Sequence, residues 1–194
     1  MRKGFGIGCI VLGICCLLSS LGLIIYNRWE EEHARDVSVA VLQDVREHME
    51  ERLQNETAAP ETDMLRAQVN GYDCIGVLSI PVLELELPVL TEWSYAKLKV
   101  APCHYFGVCG EKDFVIAAHN YPSHFGRLPE LLPKDLILLT DITGTTYVYE
   151  VVLLETLPAD ATEEMITSGF DLSLYTCTPG GANRITVRCS TVSE

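Results

Sequence analysis

The sequence predicts an all-β barrel or sandwich behind an N-terminal membrane helix and a helical stalk. Three observations predict it. An uncharged apolar run lies near the N-terminus, a stretch free of Gly and Pro with helical periodicity follows it, and from Gly71 short strand-like runs alternate with turn residues, with no long helix between them. The 194 residues suit one domain with an appendage. Lys and Arg number 14 against 27 Asp and Glu, a net charge of -13. That excess repels a phosphate backbone, since nucleic-acid binding is driven by Lys and Arg displacing counterions, and it argues against nucleic acid as a partner.

A mean hydropathy of +0.18 in a chain with 21% charged residues requires apolar and charged residues to be segregated. From Phe5 to Tyr26 the 22 residues FGIGCIVLGICCLLSSLGLIIY carry no charge, and about 20 span a bilayer as a helix. A cleaved signal peptide has a shorter apolar core and a small-residue cleavage site. A lipoprotein signal places a small residue before its cysteine, whereas Cys15 follows Ile14 and Cys16 follows Cys15. The run therefore reads as an uncleaved anchor held in the lipid bilayer through residues 5–26. Arg2 and Lys3 flank one end and Arg28-Trp29-Glu30-Glu31-Glu32 the other. The positive-inside rule then puts the N-terminus in the cytoplasm and residues 27 onward outside it, in a single-pass protein of the cell membrane.

Charge divides the chain into three segments. Residues 1–26, the cytoplasmic tip and anchor, carry +2; residues 27–70 carry five basic and eleven acidic side chains; residues 71–194 carry seven and sixteen. In the second segment Val37, Val41, Val45, Met49 and Leu53 recur every four residues, an amphipathic helix read as a solvated stalk, with packing onto the domain or self-association as the alternatives. Asn55 to Asn70, with Ala58, Ala59 and Pro60, reads as a linker.

The third segment reads as β structure. Strands are expected over 75–80, 83–87, 114–118, 136–140, 147–154, 172–177 and 184–192, the second from the strict alternation Leu83-Glu84-Leu85-Glu86-Leu87. Short helices are expected over 94–98, 123–132 and 161–166.

Five cysteines follow the anchor: Cys74, Cys103, Cys109, Cys177 and Cys189. An odd number outside the cytoplasm leaves at least one thiol unpaired. Disulfides between Cys103 and Cys109 or Cys74 and Cys189 remain open on the sequence. In Arg184-Ile185-Thr186-Val187-Arg188-Cys189, alternation puts Cys189 with the apolar residues, as a small core hydrophobe. Cys177 ends one strand, and six residues, Thr178 to Asn183, return the chain to Arg184. If this is a hairpin, Cys177 and Arg184 face each other across its mouth. A guanidinium there favours the thiolate and offers donors to a developing oxyanion. Arg188 shares that face but lies further along the strand. A thiol acting on an acyl group also needs an acid–base partner, and histidine suits neutral pH. Of His104, His119 and His124, His119 closes an apolar strand and opens the polar turn Asn120-Tyr121-Pro122-Ser123, as expected of a barrel rim. Cys103, Cys109, His119 and His124 miss zinc-finger spacing, and Glu111, Asp113, Glu163 and Glu164 form no calcium ladder; neither a metal nor a cofactor is expected.

These segments resemble the sortases, cysteine transpeptidases of the Gram-positive cell surface. Ser-Leu-Tyr-Thr-Cys at 173–177 is similar to their TLxTC signature, and the run from Arg184 to Cys189 to the strand bearing their essential arginine. AAHNY around His119 resembles their histidine segment, and IGVLSIPVLELELPVL from Ile75 to Leu90 their opening hairpin, in a class-B-like order. The resemblance spans Gly71 to Val192 and implies a mainly β, closed eight-stranded barrel. It implies His119, Cys177 and Arg184 as catalytic residues, with Ser173, Thr176, Asn120 and Tyr121 along the substrate groove. The implied reaction cleaves a C-terminal sorting signal of secreted proteins at a Thr-Gly type bond through a thioacyl on Cys177. An amine of the peptidoglycan precursor or a pilin then takes the acyl group. Ser173 departs from the family's Thr, and a loop of about 14 residues before Leu172 is short beside the helical insertion of many class B members. The competing readings are an inactive barrel serving as a membrane-anchored scaffold and another extracellular thiol peptidase.

Overall fold

The computed structural model describes residues 2–54 and 66–192. Arg2–Gln54 form one helix, α1, and the chain divides into two compact units, one ending at His33 and one beginning at Ala34. In the first unit the apolar side chains from Ile7 to Tyr26 are exposed, and the helix is long and apolar enough to cross a membrane. Past the apolar run, Trp29 stacks on His33 with ring centroids 5.6 Å apart.

In the second unit the helical stalk is not solvated. Ala34, Ser38, Val41 and Val45 are buried, and Val41 and Val45 join a cluster with Ala67, Val69, Cys74 and Val77. The four-residue spacing that made this face apolar also makes it complementary to a sheet surface. Most of the expected linker, residues 55–65, lies outside the described residues. Its end does not behave as a linker, because Ala67–Val69 form strand β1.

The remaining strands are β2 (Tyr72–Ile80), β3 (Leu85–Leu90), β4 (Cys103–Phe106), β5 (Phe114–Ala117), β6 (Leu136–Asp141), β7 (Thr146–Pro158), β8 (Leu172–Cys177) and β9 (Asn183–Thr191). Eight of them close a mixed barrel in the order β2-β3-β4-β5-β8-β9-β7-β6, with β6 returning to β2, while β1 pairs with the start of β2. β3/β4 and β5/β8 are parallel, and the other pairs are antiparallel. At the β2/β6 seam a Cβ on Gly76 would collide with the Thr140 carbonyl, so the closing strands approach because that residue is glycine.

Alternation along each strand sorts side chains to the two faces of the wall. Leu78, Ile80, Phe114, Ile116, Leu172, Leu174, Val187 and Cys189 fill the interior, and Cys189 is the core residue expected. Val115, Ala117, Cys103, Tyr175 and Met165 form the outer cluster beneath α1 and the loops.

Two expected elements differ. Leu83–Leu87 is not one strand: Pro81–Leu83 form a 3-10 turn capped by Glu84 at φ 52, and pairing starts at Leu85. Residues 123–132 form turns with a single 3-10 segment, Leu128–Glu130, because Pro129 and the tight turn around Gly126 deny it the helical ladder. The other short helices are present as α2 (Tyr95–Leu98), capped by the Ser94 hydroxyl, and α3 (Thr162–Ile166).

Packing of the stalk helix is measurable. Val45 is 0% exposed and Val39 47%. Val45→Ala is expected to cost about 2 kcal/mol, from two lost methylene equivalents and a residual void, in chemical denaturation of the full chain in detergent. Val39→Ala stays within about 0.5 kcal/mol of wild type; equal, negligible effects would show that the helix does not contribute to the barrel's stability.

Candidate active site

β8 and β9 form a hairpin in which Cys177 pairs directly with Arg184. Directly opposed residues hold their Cβ atoms about 5 Å apart on one face. The turn between them is closed by Thr178 N–H donating to the Asn183 carbonyl at 3.0 Å and Gly181 N–H to the Thr178 carbonyl at 2.8 Å. Gly180 and Gly181 take φ 84 and 76, a region costly to any residue with a Cβ. Arg184 Nη1 donates to the carbonyls of Gly181 and Asn183 at 3.0 and 3.1 Å, so the loop's own backbone holds the guanidinium at the hairpin mouth.

His119 reaches the same place from the other side. β5 runs parallel to β8 with Ala117 opposite Tyr175, and Ala118 N–H continues the ladder to the Tyr175 carbonyl at 3.1 Å. Thr176 Oγ1 donates to the Ala118 carbonyl at 2.9 Å. The ladder ends there, so His119 lies two residues past β5, beside the end of β8, where Cys177 shares its face with Tyr175 and Arg184. The three candidate catalytic residues thus lie at adjacent ends of three neighbouring strands. The His119 ring stacks on Tyr121, centroids 4.5 Å apart, and both His119 and Cys177 are partly exposed.

The groove residues separate into two groups. Asn120 and Tyr121 are partly exposed beside His119. Ser173 and Thr176 are buried, and neither offers its hydroxyl to a ligand: Thr176 donates to Ala118, and Ser173 accepts from Arg188 Nη1 at 2.7 Å. Expected as groove residues, these two instead fix the register and the loop. Their hydroxyls were legible in the sequence, but the partners that occupy them come from distant segments.

Arg188 is 2% exposed. Its guanidinium pairs with Glu155 Oε1 at 2.7 Å and donates to the backbone carbonyls of Glu164 and Met165. It thereby ties the loop between β7 and β8 to the barrel wall. That loop forms one side of a groove lined by Ala161, Thr162 and Met165, with Tyr105, Tyr175 and Arg184 on the other side and Trp93 and Tyr95 nearby. Trp93 and Tyr175 each meet Tyr105 edge-on, at 5.9 and 5.3 Å. This aromatic lining was not anticipated, although Tyr175 shares a strand face with Cys177 at two-residue spacing and carried the signal.

The other cysteines are a contrast. Burial pushes the thiols of Cys74, Cys103, Cys109 and Cys189 up to about 12, so they stay protonated at neutral pH. All described cysteines are free. Neither disulfide left open by the sequence forms, because the barrel wall separates the partners: Cys74 and Cys103 pack in the outer cluster, Cys189 in the interior and Cys109 against it. Among the described residues no three His, Cys, Asp or Glu side chains gather as a metal site. His124 is fully buried; burial, then the nearby His119, lowers its pKa from 6.5 to about 4.

A family model described as the sortase domain matches residues 78–192. No curated protein matches the chain. Among solved structures, the sortase D5 transpeptidase of Clostridium perfringens superposes with a TM-score of 0.62 at 19% identity, over 81% of this chain and 99% of that one. Sortase C of C. perfringens, solved with the C-terminal cell wall sorting motif, gives 0.58 at 22% identity over 79% and 90%. Sortase C1 of Streptococcus suis gives 0.55 at 28% identity over 62% and 74%. Their names are of D5, C and C1 types.

Two measurements test the site's electrostatics and exposure. Iodoacetamide at neutral pH is expected to alkylate Cys177 ahead of Cys74, Cys103, Cys109 and Cys189, resolved by peptide mass spectrometry; equal rates for all five would contradict the burial described. The folded chain holds His124 at about 4 against an ordinary 6.5, so the unfolded chain binds its proton first as the pH falls. Stability from this group is full above about pH 6.5 and is lost as the pH falls toward 4, up to about 3 kcal/mol. His124→Phe should flatten that part of the pH dependence in urea unfolding.

Proposed function

The chain belongs to the sortase family, a family of cysteine transpeptidases acting on sorting signals, and from that premise we propose that it is a membrane-anchored transpeptidase with Cys177 as nucleophile. The observation that supports the proposal is the direct pairing of Cys177 with Arg184 at the end of β8 and β9, with β5, which leads into His119, hydrogen-bonded beside β8. A sortase C of the same fold was solved with a C-terminal cell wall sorting motif, and an extended peptide of that kind suits the groove beside Tyr175 and Arg184. The apolar helix holds the chain in the membrane with the barrel outside the cytoplasm, where secreted proteins pass.

The Cys177 thiolate attacks the carbonyl carbon of the Thr-Gly type bond. The electron pair moves onto the carbonyl oxygen, where the Arg184 guanidinium stabilises it. His119, protonated, gives its proton to the leaving amine as the C–N bond breaks, leaving a thioacyl on Cys177. The incoming amine, from a peptidoglycan precursor or a pilin lysine, loses a proton to His119 as it attacks the thioester, and the thiolate leaves. No metal or cofactor takes part in this scheme.

The 194-residue chain in detergent, incubated with sorting-signal peptides and an amine acceptor, is expected to show an acyl adduct on Cys177 by mass spectrometry and an amide product. Cys177→Ala and His119→Ala should each lower kcat/KM by at least about 1,000-fold, and Arg184→Lys by about 100-fold. Wild-type turnover in Cys177→Ala, or no adduct with any peptide and no amide product, would refute the assignment.

A further inference from the structure

His119 opens a loop whose backbone closes on itself. Phe125 N–H donates to the His119 carbonyl at 3.1 Å, and the N–H groups of His124 and Gly126 both donate to the Tyr121 carbonyl at 2.9 Å. A Cβ on Gly126 would stand 2.5 Å from the Asn120 carbonyl oxygen, so the loop closes this tightly because that residue is glycine. The closed loop limits where the Tyr121 ring can go. The ring lies nearly flat on the His119 imidazole, centroids 4.5 Å apart and planes 13° apart. It also meets His124, at 5.6 Å and 55°. His124 is 0% exposed, and neither of its ring nitrogens has a hydrogen-bond partner among the described residues. It is thus a buried aromatic ring packed against Tyr121.

We propose that Tyr121 is the positioning residue of His119: its ring, backed by the buried His124, holds the imidazole plane toward Cys177 and stabilises the imidazolium through its π face. This deepens the transpeptidase reading and rests on His119 being its acid–base group. Two physical effects support it. Stacked rings at this separation favour one relative orientation, which limits rotation of the imidazole. A cation over the face of a Tyr ring within about 6 Å is attracted by the ring quadrupole. Tyr121 and His124 are the titratable groups of its own loop near His119, and from the neighbouring strands Cys177 at the end of β8 and its partner Arg184 on β9 are the groups at this rim. His124 stays neutral at neutral pH, because burial holds it near 4, so it does not compete with His119 for the catalytic proton. Tyr121 thereby acts on the histidine and not on the substrate.

The test uses the full chain in detergent micelles with ¹³Cε1-labelled histidine, the His119 resonance being assigned by its loss in His119→Gln. In wild type, the ring current of Tyr121 should shift that resonance upfield, and Tyr121→Phe should keep both the shift and the titration midpoint. Tyr121→Leu and Tyr121→Met, which fill the space without a π face, should each lower the His119 midpoint by about half a pH unit. They should also cut kcat about tenfold while KM stays within about twofold. An unmoved midpoint in both variants, or a raised KM with kcat kept, overturns the proposal and makes Tyr121 a substrate contact. If the midpoint moves as expected but His119→Gln retains full transpeptidation, the ring stack stands and the acid–base role of His119 fails, so the two are told apart.

Discussion

Register across β5, β8 and β9 is the constraint on which the site depends. The side-chain period of a strand is two, so a slip of one residue in β8 would turn Cys177 into the interior and push Thr176 out. Several interactions oppose that slip. Leu174 sits between Ile116 and Val187 in the packed interior, and Thr176 donates across to Ala118 on β5. Ser173 is held by Arg188 on β9. Residues that touch no substrate therefore decide where the nucleophile points, and core packing and site geometry are one problem in this barrel.

Arg188 extends the same logic from strands to a loop. Arg188 is buried while Glu155 is 36% exposed, so water screens the carboxylate, and removing Glu155 would leave the buried guanidinium without its counter-charge. The guanidinium's other bonds, to the carbonyls of Glu164 and Met165, tie the β7–β8 loop to the barrel wall. A short loop with a single 5-residue helix would otherwise be a soft groove wall. The sequence places Arg188 on the face of Arg184, yet the two differ completely in role. Arg184 lies at the hairpin mouth on carbonyls of the turn, and Arg188 lies under the loop.

Local features were legible in the sequence, and features that need a distant partner were not. The β8–β9 hairpin could be read because its alternation and Gly-Gly turn all lie between Leu172 and Thr191, and the Cys177–Arg184 pairing came with it. Cys189 as a core residue followed from the same alternation. β4 was missed: its residues, Cys103–Phe106, are polar or aromatic, and one parallel pair, Leu90 with Cys103, joins it to β3. Leu83–Leu87 misled because alternating exposure around a 3-10 turn mimics a strand. The valines of the stalk marked an amphipathic face correctly, but periodicity does not name what a face packs against. His124 falls in the helix expected over 123–132, and its burial depends instead on how the turn folds back at Gly126.

The cysteines show how position, and not residue type, separates filler from nucleophile. Four of the five thiols beyond the anchor lie in the wall or against its core, where burial holds the proton on sulfur and leaves a small apolar side chain. Cys177 is the last residue of β8, where the wall meets solvent and the second residue of the next strand, its pairing partner, is an arginine. Strand ends in a closed barrel combine rigid backbone with access, because the ladder fixes direction up to the final pair and nothing covers the side chain beyond it. A nucleophile one or two residues earlier would share the environment of Tyr175 or Thr176, buried and already engaged. One or two residues later it would ride on the turn without a partner strand to aim it. The end of the ladder is thus the one place on β8 that supplies both direction and exposure.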